Sequence, residues 1–156
     1  MNKHEFIDSL VKIGDIHAMR MGLSLLEVRP LLPIKEEDLL VFTNDQFAQL
    51  EMIVNRFAKL QDMIGSKLFP LVLELHTMES AENKPMRDIL DALEKKEILS
   101  SAQWWMDMRE IRNHVAHEYP DNPELMCKNL NDAIIAAGEL LEYWTFLKGI
   151  IKRLEK

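Results

Sequence analysis

This chain has one cysteine, Cys127, so no disulfide can form within it, and its composition suits a reducing compartment. Only 5 of its 156 residues are glycine and 6 are proline, which excludes collagen-like and low-complexity sequences. No apolar run approaches the ~18 residues of a membrane span, and charged residues from Lys3 onward interrupt the region where a signal peptide would need such a run. These absences predict a cytoplasmic protein with no membrane partner.

The patterns of several common sites are missing as well. The sequence has no Gly-rich phosphate loop, no Cys-rich metal motif and no internal repeat. His114 and His117 have a spacing that suits a metal, but no third ligand of evident geometry lies nearby. We therefore predict no metal and no cofactor. The net charge of −7 argues against broad nucleic-acid binding and leaves room only for a narrow basic cleft.

The composition and periodicity of the chain are those of a helical globular protein. Hydrophobic residues make up 47% of it and charged residues 29%, and no segment alternates as a strand would. The fold class predicted is all-α: an antiparallel four- to five-helix bundle in one domain, residues 1–156. The predicted helices run from 3 to 26, from a Thr43–Gln46 capping box to about Met78 with a break at Gly65 and Pro70, from Pro85 to about Lys96, from a Ser100–Gln103 capping box to Pro120, and from Asn122 to about Leu154.

Two of these helices carry predictions about packing. In the second helix, Gln61 is the one polar residue in an apolar stripe that forms either bundle core or a dimer seam. In the first helix, Gly14 and Gly22 are expected to let another helix approach closely. The stripe expected to pack inward on the first helix consists of Phe6, Leu10, Ile13 and His17, joined by Ile7, Val11 and Ile16.

The helix that precedes Pro120 has two unlike faces. The first is an ordinary core stripe made of Trp104, Met108, Ile111 and Val115. The opposite face mixes apolar, amide and cationic side chains: Trp105, Met106, Arg109, Arg112, Asn113, Ala116 and His117. A purely solvated face seldom combines such residues, so we interpret the second face as a contact surface for a ligand or partner.

Three residues of this contact surface form a candidate catalytic set. Asn113 and His117 lie four residues apart and can touch one ligand, whereas Arg112 lies about 140° from His117 around the helix and can lean in or reach a second copy. A histidine can take and give a proton near neutral pH, and an arginine can hold a phosphate. Together they could cleave RNA by activating a 2′-hydroxyl without a metal. Pro120 ends the helix, which leaves Tyr119 at an exposed exit suited to modification.

The segment from residue 112 to residue 119 reads RNHVAHEY, and it resembles the signature of the HEPN superfamily: arginine, often asparagine next, and histidine a few residues later. The tyrosine two residues after the histidine is similar to the form in the HepT toxin branch. This resemblance implies an all-α bundle that forms a homodimer with both motifs facing one cleft, and metal-independent cleavage of an RNA substrate. It also implies a nucleotidyltransferase antitoxin of the MntA type, which neutralises the toxin by adding AMP to the motif tyrosine.

Carried over residue by residue, the resemblance makes Arg112 and His117 catalytic, makes Asn113 the residue that orients them, and makes Tyr119 the site of AMP addition. The candidate auxiliary residues on the same helix are Arg109, Glu110 and His114.

Other interpretations of the same residues stay open. In the plainest interpretation the motif only caps and salt-bridges a bundle helix through Arg112, Asn113 and His117, because cations near helix C-termini are common. Alternatively the chain is a non-catalytic subunit that binds a nucleotidyltransferase, and the motif is a docking or substrate surface. A nucleic-acid-binding regulator without chemistry is disfavoured because the chain is acidic and lacks a basic recognition helix.

Overall fold

A computed structural model describes residues 1–117 and 121–156 of the chain. Across these two ranges every regular element is helical, which confirms the all-α prediction. Two 3-10 turns, Arg29–Leu31 and Glu36–Leu40, follow the first helix, and a π-helical turn, Ile64–Leu68, links the second and third. None of the helices within these two ranges combines the length and the hydropathy that a membrane-spanning segment requires. The α-helices are α1 Lys3–Val28, α2 Asn44–Met63, α3 Phe69–Thr77, α4 Met86–Lys95, α5 Ala102–Ala116 and α6 Pro123–Leu154.

Four helices, α1, α2, α5 and α6, pack against one another around a hydrophobic core, and α4 lies between α3 and α5. α1 and α6 run antiparallel, because His4 lies 3.6 Å from Glu155 whereas Asp15 lies 2.7 Å from Lys148. α2 and the π-helical turn that follows it run antiparallel to α5. Asp62 contacts Arg112 near the end of α5, whereas Gly65 of the turn lies against Trp105 near its start. The described helices thus form a bundle in which long neighbours mostly oppose each other.

The buried face of α1 differs from the predicted stripe. Ile7 and Leu10 are buried as expected, but Phe6, Ile13 and Ile16 are 39%, 47% and 46% exposed. The prediction that these three pack inward is therefore wrong. Apolar residues occur all around α1, so helical periodicity alone could not choose between two overlapping stripes.

Gly14 allows a close approach between α1 and α6. A Cβ atom added at Gly14 would collide with the indole ring of Trp144 and would lie 2.9 Å from the Met63 methyl group. The predicted close approach is therefore confirmed at this position. At Gly22 the nearest atom to such a Cβ is Leu141 Cδ1 at 3.6 Å, an ordinary contact, so the packing there does not require glycine.

The predicted break after α2 takes the form of a π-helical turn. Pro70 has no amide hydrogen, and its ring crowds the carbonyl four residues earlier, so the α-helical ladder cannot continue unchanged. The Phe69 N–H bonds to the carbonyl of Ile64, five residues back. Ahead of this turn, Gln61 is only 2% exposed, so the polar interruption predicted in the stripe of α2 is buried. The start of α2 is also as predicted, with the Thr43–Gln46 capping box formed in both directions.

Candidate functional site

α5, the helix that carries the motif, begins one residue later than predicted. Ser101 is its N-cap, and the Ser101 hydroxyl accepts a hydrogen bond from the Trp104 N–H at 3.1 Å. Glu94 of α4 accepts the N–H of the first helical residue at 2.8 Å. The predicted Ser100–Gln103 capping box is therefore wrong, because the first turn is satisfied from Ser101 and from α4 instead.

The faces of α5 are rotated from the predicted ones. Trp105 and Met108 are 0% and 1% exposed, whereas Ile111 and Val115 are only half-buried. The helical pattern placed Trp105 on the contact surface, and that prediction is wrong, because Trp105 belongs to the core. Its ring packs edge-on against Phe69 of α3, with the ring centroids 4.7 Å apart.

Tyr143 of α6 extends this aromatic cluster and helps to fix the start of α5. Its ring centroid lies 5.5 Å from that of Trp104 and 6.0 Å from that of Trp105. The Tyr143 hydroxyl donates to the Ile98 carbonyl at 2.9 Å, and burial raises the pKa of Tyr143 well above its usual range. The phenol therefore stays a neutral donor at physiological pH, and the first turns of α5 are held from two sides.

Arg112 is held by α2. Its Nη2 donates to Oδ2 of Asp62 at 2.8 Å, and its Nη1 donates to Oδ1 of the neighbouring Asn113 at 3.5 Å. The side chains of Arg112 and Asp62 are 31% and 52% exposed, so this ion pair lies at the surface. The guanidinium therefore has a defined position while Nη1, whose bond to Asn113 is long, can still donate to an anionic ligand.

His117 was predicted in the last turn of α5, but it lies just past the end of that helix. Its backbone is extended, with φ −92° and ψ 135°, and its N–H donates to the His114 carbonyl at 3.3 Å. The residue lines a hollow of about 100 Å³ together with Val115, Met126, Asn129 and Leu130. Arg112 thus contacts α2 while His117 lies beside the start of α6.

The remaining motif residues divide between exposed positions and the part of the chain that is not described. Asn113 and the candidate auxiliary residues are exposed on α5: Arg109, Glu110 and His114. Tyr119, the predicted site of AMP addition, lies outside the described residues together with its two neighbours. The structure therefore brings Arg112 and Asn113 into contact and leaves the prediction for Tyr119 as a prediction.

A pocket of about 310 Å³ opens beside the motif helix, where α2 passes into the π-helical turn. Its lining residues are Gln61, Asp62, Gly65, Ser66, Met86, Trp105 and Arg109. Sequence reasoning missed both this pocket and the role of Asp62 as the partner of Arg112. The only signal was Gln61, the polar interruption in the apolar stripe of α2, and its significance depends on how α2 packs against α5.

Over residues 1–117 and 121–156, no group of three or more His, Cys, Asp or Glu side chains is arranged to hold a metal ion. Comparisons of the chain with protein-family models, with curated proteins and with solved structures returned no match. The function is therefore inferred from the residues of α5 and from their surroundings.

Proposed function

We propose that this protein is a HEPN-type, HepT-like endoribonuclease toxin that acts as a homodimer in the cytoplasm and cleaves RNA without a metal. The observation that carries the proposal is the Arg112–Asp62 ion pair, in which Nη2 of Arg112 lies 2.8 Å from Oδ2 of Asp62. This contact holds the guanidinium at the surface of α5 beside Asn113. A salt bridge within the bundle is also what the plainest interpretation predicts, so the proposal depends on the rest of the guanidinium: Nη1 of Arg112 makes only a 3.5 Å bond to Asn113 and can still donate to a phosphate. An arginine fixed at a surface is the group best suited to meet a phosphate of an RNA strand.

The reaction proposed for this site needs one base, one acid and one cation. His117 takes the proton of a 2′-hydroxyl, whose oxygen attacks the adjacent phosphorus and forms a bond to it. The bond from phosphorus to the 5′-oxygen breaks, and an imidazolium returns a proton to that oxygen, which gives a 2′,3′-cyclic phosphate and a free 5′-hydroxyl. Arg112 stabilises the charge that develops on the phosphorane oxygens, and Asn113 positions the two groups.

A homodimer is part of the proposal because Arg112 and His117 have different neighbours within one chain. Arg112 contacts α2, and His117 lies beside α6. A second copy of α5 placed across the exposed face would bring another arginine and histidine to the same phosphate. Two motifs sharing one cleft would then supply separate residues for proton removal and proton return.

Neutralisation by an MntA-type nucleotidyltransferase is proposed at Tyr119. The phenolic oxygen would attack the α-phosphorus of ATP and form a phosphodiester bond, and pyrophosphate would leave. A bulky anion two residues from His117 would repel RNA from the Arg112–His117 pair. Failure of the purified partner enzyme to add 329 Da, about the mass of an AMP group less water, would remove this part of the proposal.

The test is cleavage of a mixed RNA pool in EDTA by wild-type protein, by His117→Ala and by the control His76→Ala. His76 is exposed on α3, away from the motif. We expect cleavage by the wild type and by the control, and its loss in His117→Ala. Equal cleavage by all three would place the chemistry elsewhere. No cleavage by a wild-type protein shown by mass spectrometry to be free of AMP would favour the non-catalytic nucleotidyltransferase-binding subunit.

A further inference from the structure

Four basic side chains meet at the groove between α1 and α2. His17 and Arg20 lie one turn apart on α1, and Arg56 and Lys59 lie one turn apart on α2. Nη1 of Arg56 lies 2.9 Å from Nδ1 of His17, a contact that joins the two pairs. Arg20 and Lys59 are exposed, whereas His17 and Arg56 are partly buried. We call these four residues the basic cluster.

The basic cluster has no acidic counterpart. In the described part of the chain, no salt bridge joins Arg20, Arg56 or Lys59 to a carboxylate. Burial lowers the pKa of His17, and the same three cations lower it further. The chain has 26 acidic and 19 basic residues, so cations without an acidic partner stand against its composition. Like charges held together repel one another, and an anion bound among them would relieve that repulsion.

Arg56 is held by a neutral acceptor and therefore keeps its whole charge. Arginine only donates, so Nδ1 of His17 accepts and the proton of the neutral ring is on Nε2. Nε of Arg56 is buried, whereas Nη2 is accessible and makes no hydrogen bond to a described residue. Arg112, by contrast, is held by the Asp62 carboxylate, which offsets its charge. A guanidinium that is fixed but not neutralised is suited to binding a phosphate.

We propose that the basic cluster binds backbone phosphates of the RNA strand whose cleavage is proposed at the motif. The identification of the anion as RNA rests on the proposed function, whereas the cluster and its lack of an acidic partner do not. The contacts would be made to phosphate oxygens by Nη2 of Arg56, by Arg20 and by Lys59. Such contacts fix where a strand lies without reading its bases.

The position of the basic cluster beside the motif favours RNA over an acidic protein partner. Lys59 is three residues before Asp62 on α2, and residues so spaced are neighbours at ~5–6 Å on a helix surface. Asp62 in turn accepts from Nη2 of Arg112 at 2.8 Å. Every nucleotide carries a phosphate, so a strand bound at Arg112 that crosses α2 brings a further anion to Lys59. The basic cluster would thus extend the contact of an acidic protein with its anionic substrate.

The first experiment measures binding of a 2′-O-methyl RNA oligonucleotide, which carries backbone phosphates but cannot be cut because its 2′-oxygens are blocked. NMR follows the ring signals of the five histidines in ¹⁵N-labelled protein, and His17→Gln identifies the His17 signal by its loss. We expect the oligonucleotide to shift that signal to saturation. No shift would overturn the proposal. An equal shift with a polyglutamate peptide of the same charge would also overturn it, and would indicate an acidic protein partner instead.

Matched double variants test whether these particular cations bind the strand. Arg20→Gln with Lys59→Gln removes two exposed cations from the basic cluster. The control, Lys152→Gln with Arg153→Gln, removes two exposed cations from the end of α6 and changes the net charge equally. None of the four makes a salt bridge to a described residue, so both variants should fold, which circular dichroism checks.

The readout for these variants is the affinity for the oligonucleotide, measured by fluorescence anisotropy over a range of salt concentrations. We expect the cluster variant to bind about tenfold more weakly than the wild type and the control to bind nearly as well as the wild type. The slope of log affinity against log salt should fall by about 1.4 in the cluster variant, since each phosphate contact to a single strand contributes ~0.7. Equal losses in the two variants would show an effect of net charge alone and would overturn the assignment.

Binding and cleavage are measured separately, so the two proposals can fail separately. Weaker binding by the cluster variant of a protein that cuts no RNA would retain the phosphate site and reject the ribonuclease. Cleavage by the wild type, with the same KM for RNA in the cluster variant and its control, would retain the ribonuclease and reject the phosphate site.

Discussion

The Asp62 carboxylate on α2 and the Arg112 guanidinium on α5 meet at 2.8 Å although 50 residues separate them in the chain. This contact joins the motif helix α5 to α2. It also gives Arg112 one direction among the many that a long, flexible side chain could adopt. Because both partners are partly exposed, we expect the contact to matter more for the position of Arg112 than for stability.

Removing the Asp62 carboxylate tests that expectation. Asp62→Ala should lower kcat for RNA cleavage up to about fivefold, since a partly exposed ion pair contributes ~1 kcal/mol or less and each 1.36 kcal/mol is tenfold in rate. Asp62→Asn retains an oxygen acceptor and should lie closer to the wild type. The control is Asp107→Ala, an exposed residue of α5 that accepts a hydrogen bond from Gln103. Full activity in Asp62→Ala would show that Arg112 needs no anchor.

Gly14 should tolerate no side chain. We expect Gly14→Ala to lower the free energy of unfolding by about 1–3 kcal/mol, because its Cβ would collide with the buried Trp144 ring. Gly138→Ala, also within a helix but facing open space, should instead raise the stability by roughly 0.5–1 kcal/mol. Urea denaturation followed by circular dichroism measures both values. A Gly14→Ala protein as stable as the wild type would mean that α1 and α6 can move apart at little cost.

Two buried tryptophans should respond differently to the same substitution. Trp144 donates its indole N–H to Asp15 at 2.9 Å, whereas the Trp105 N–H has no partner among the described residues. Both changes to phenylalanine remove ring volume, but only Trp144→Phe also loses a hydrogen bond to a charged group. We therefore expect Trp144→Phe to be more destabilising by about 1–3 kcal/mol in thermal or urea unfolding. An equal loss for the two variants would contradict this hydrogen-bond assignment.

His17 should make the fold less stable in weak acid. Burial, together with the nearby cations Arg56, Lys59 and Arg20, lowers the pKa of His17 from its ordinary value of 6.5. The unfolded chain therefore takes up the proton first, and stability should fall as the pH drops below about 6.5 until the folded form is also protonated. Nδ1 of His17 lies 2.9 Å from Arg56 Nη1, and since arginine only donates, Nδ1 must be the acceptor.

The measurement for His17 is the free energy of unfolding at pH 5 and pH 7.5 for the wild type and for His17→Gln. Glutamine can still accept from Arg56 but does not titrate, so the variant should lose less stability between the two pH values. An identical pH dependence in both proteins would assign the acid sensitivity to other groups.

Local patterns in the chain were enough to predict the helical class and most helix boundaries. Thr43, Asn122 and Pro70 act through local chemistry, as caps or as a break, and local chemistry can be inferred from neighbours in the chain. The buried state of Gln61 followed from the stripe on which it lies. These features were predictable because each depends on a few consecutive residues or on one helical repeat.

Which faces of the helices are buried, and what surrounds the motif, depend on how the helices pack together. α1 and α5 carry apolar residues on more than one side, so periodicity could not show that Ile13 is exposed or that Trp105 is in the core. The Asp62–Arg112 contact and the pocket at Gln61 arise where α2 crosses α5, and they depend on helix packing across 50 residues of chain. Such packing is selected by the fit of the whole core, and no single helix contains that information.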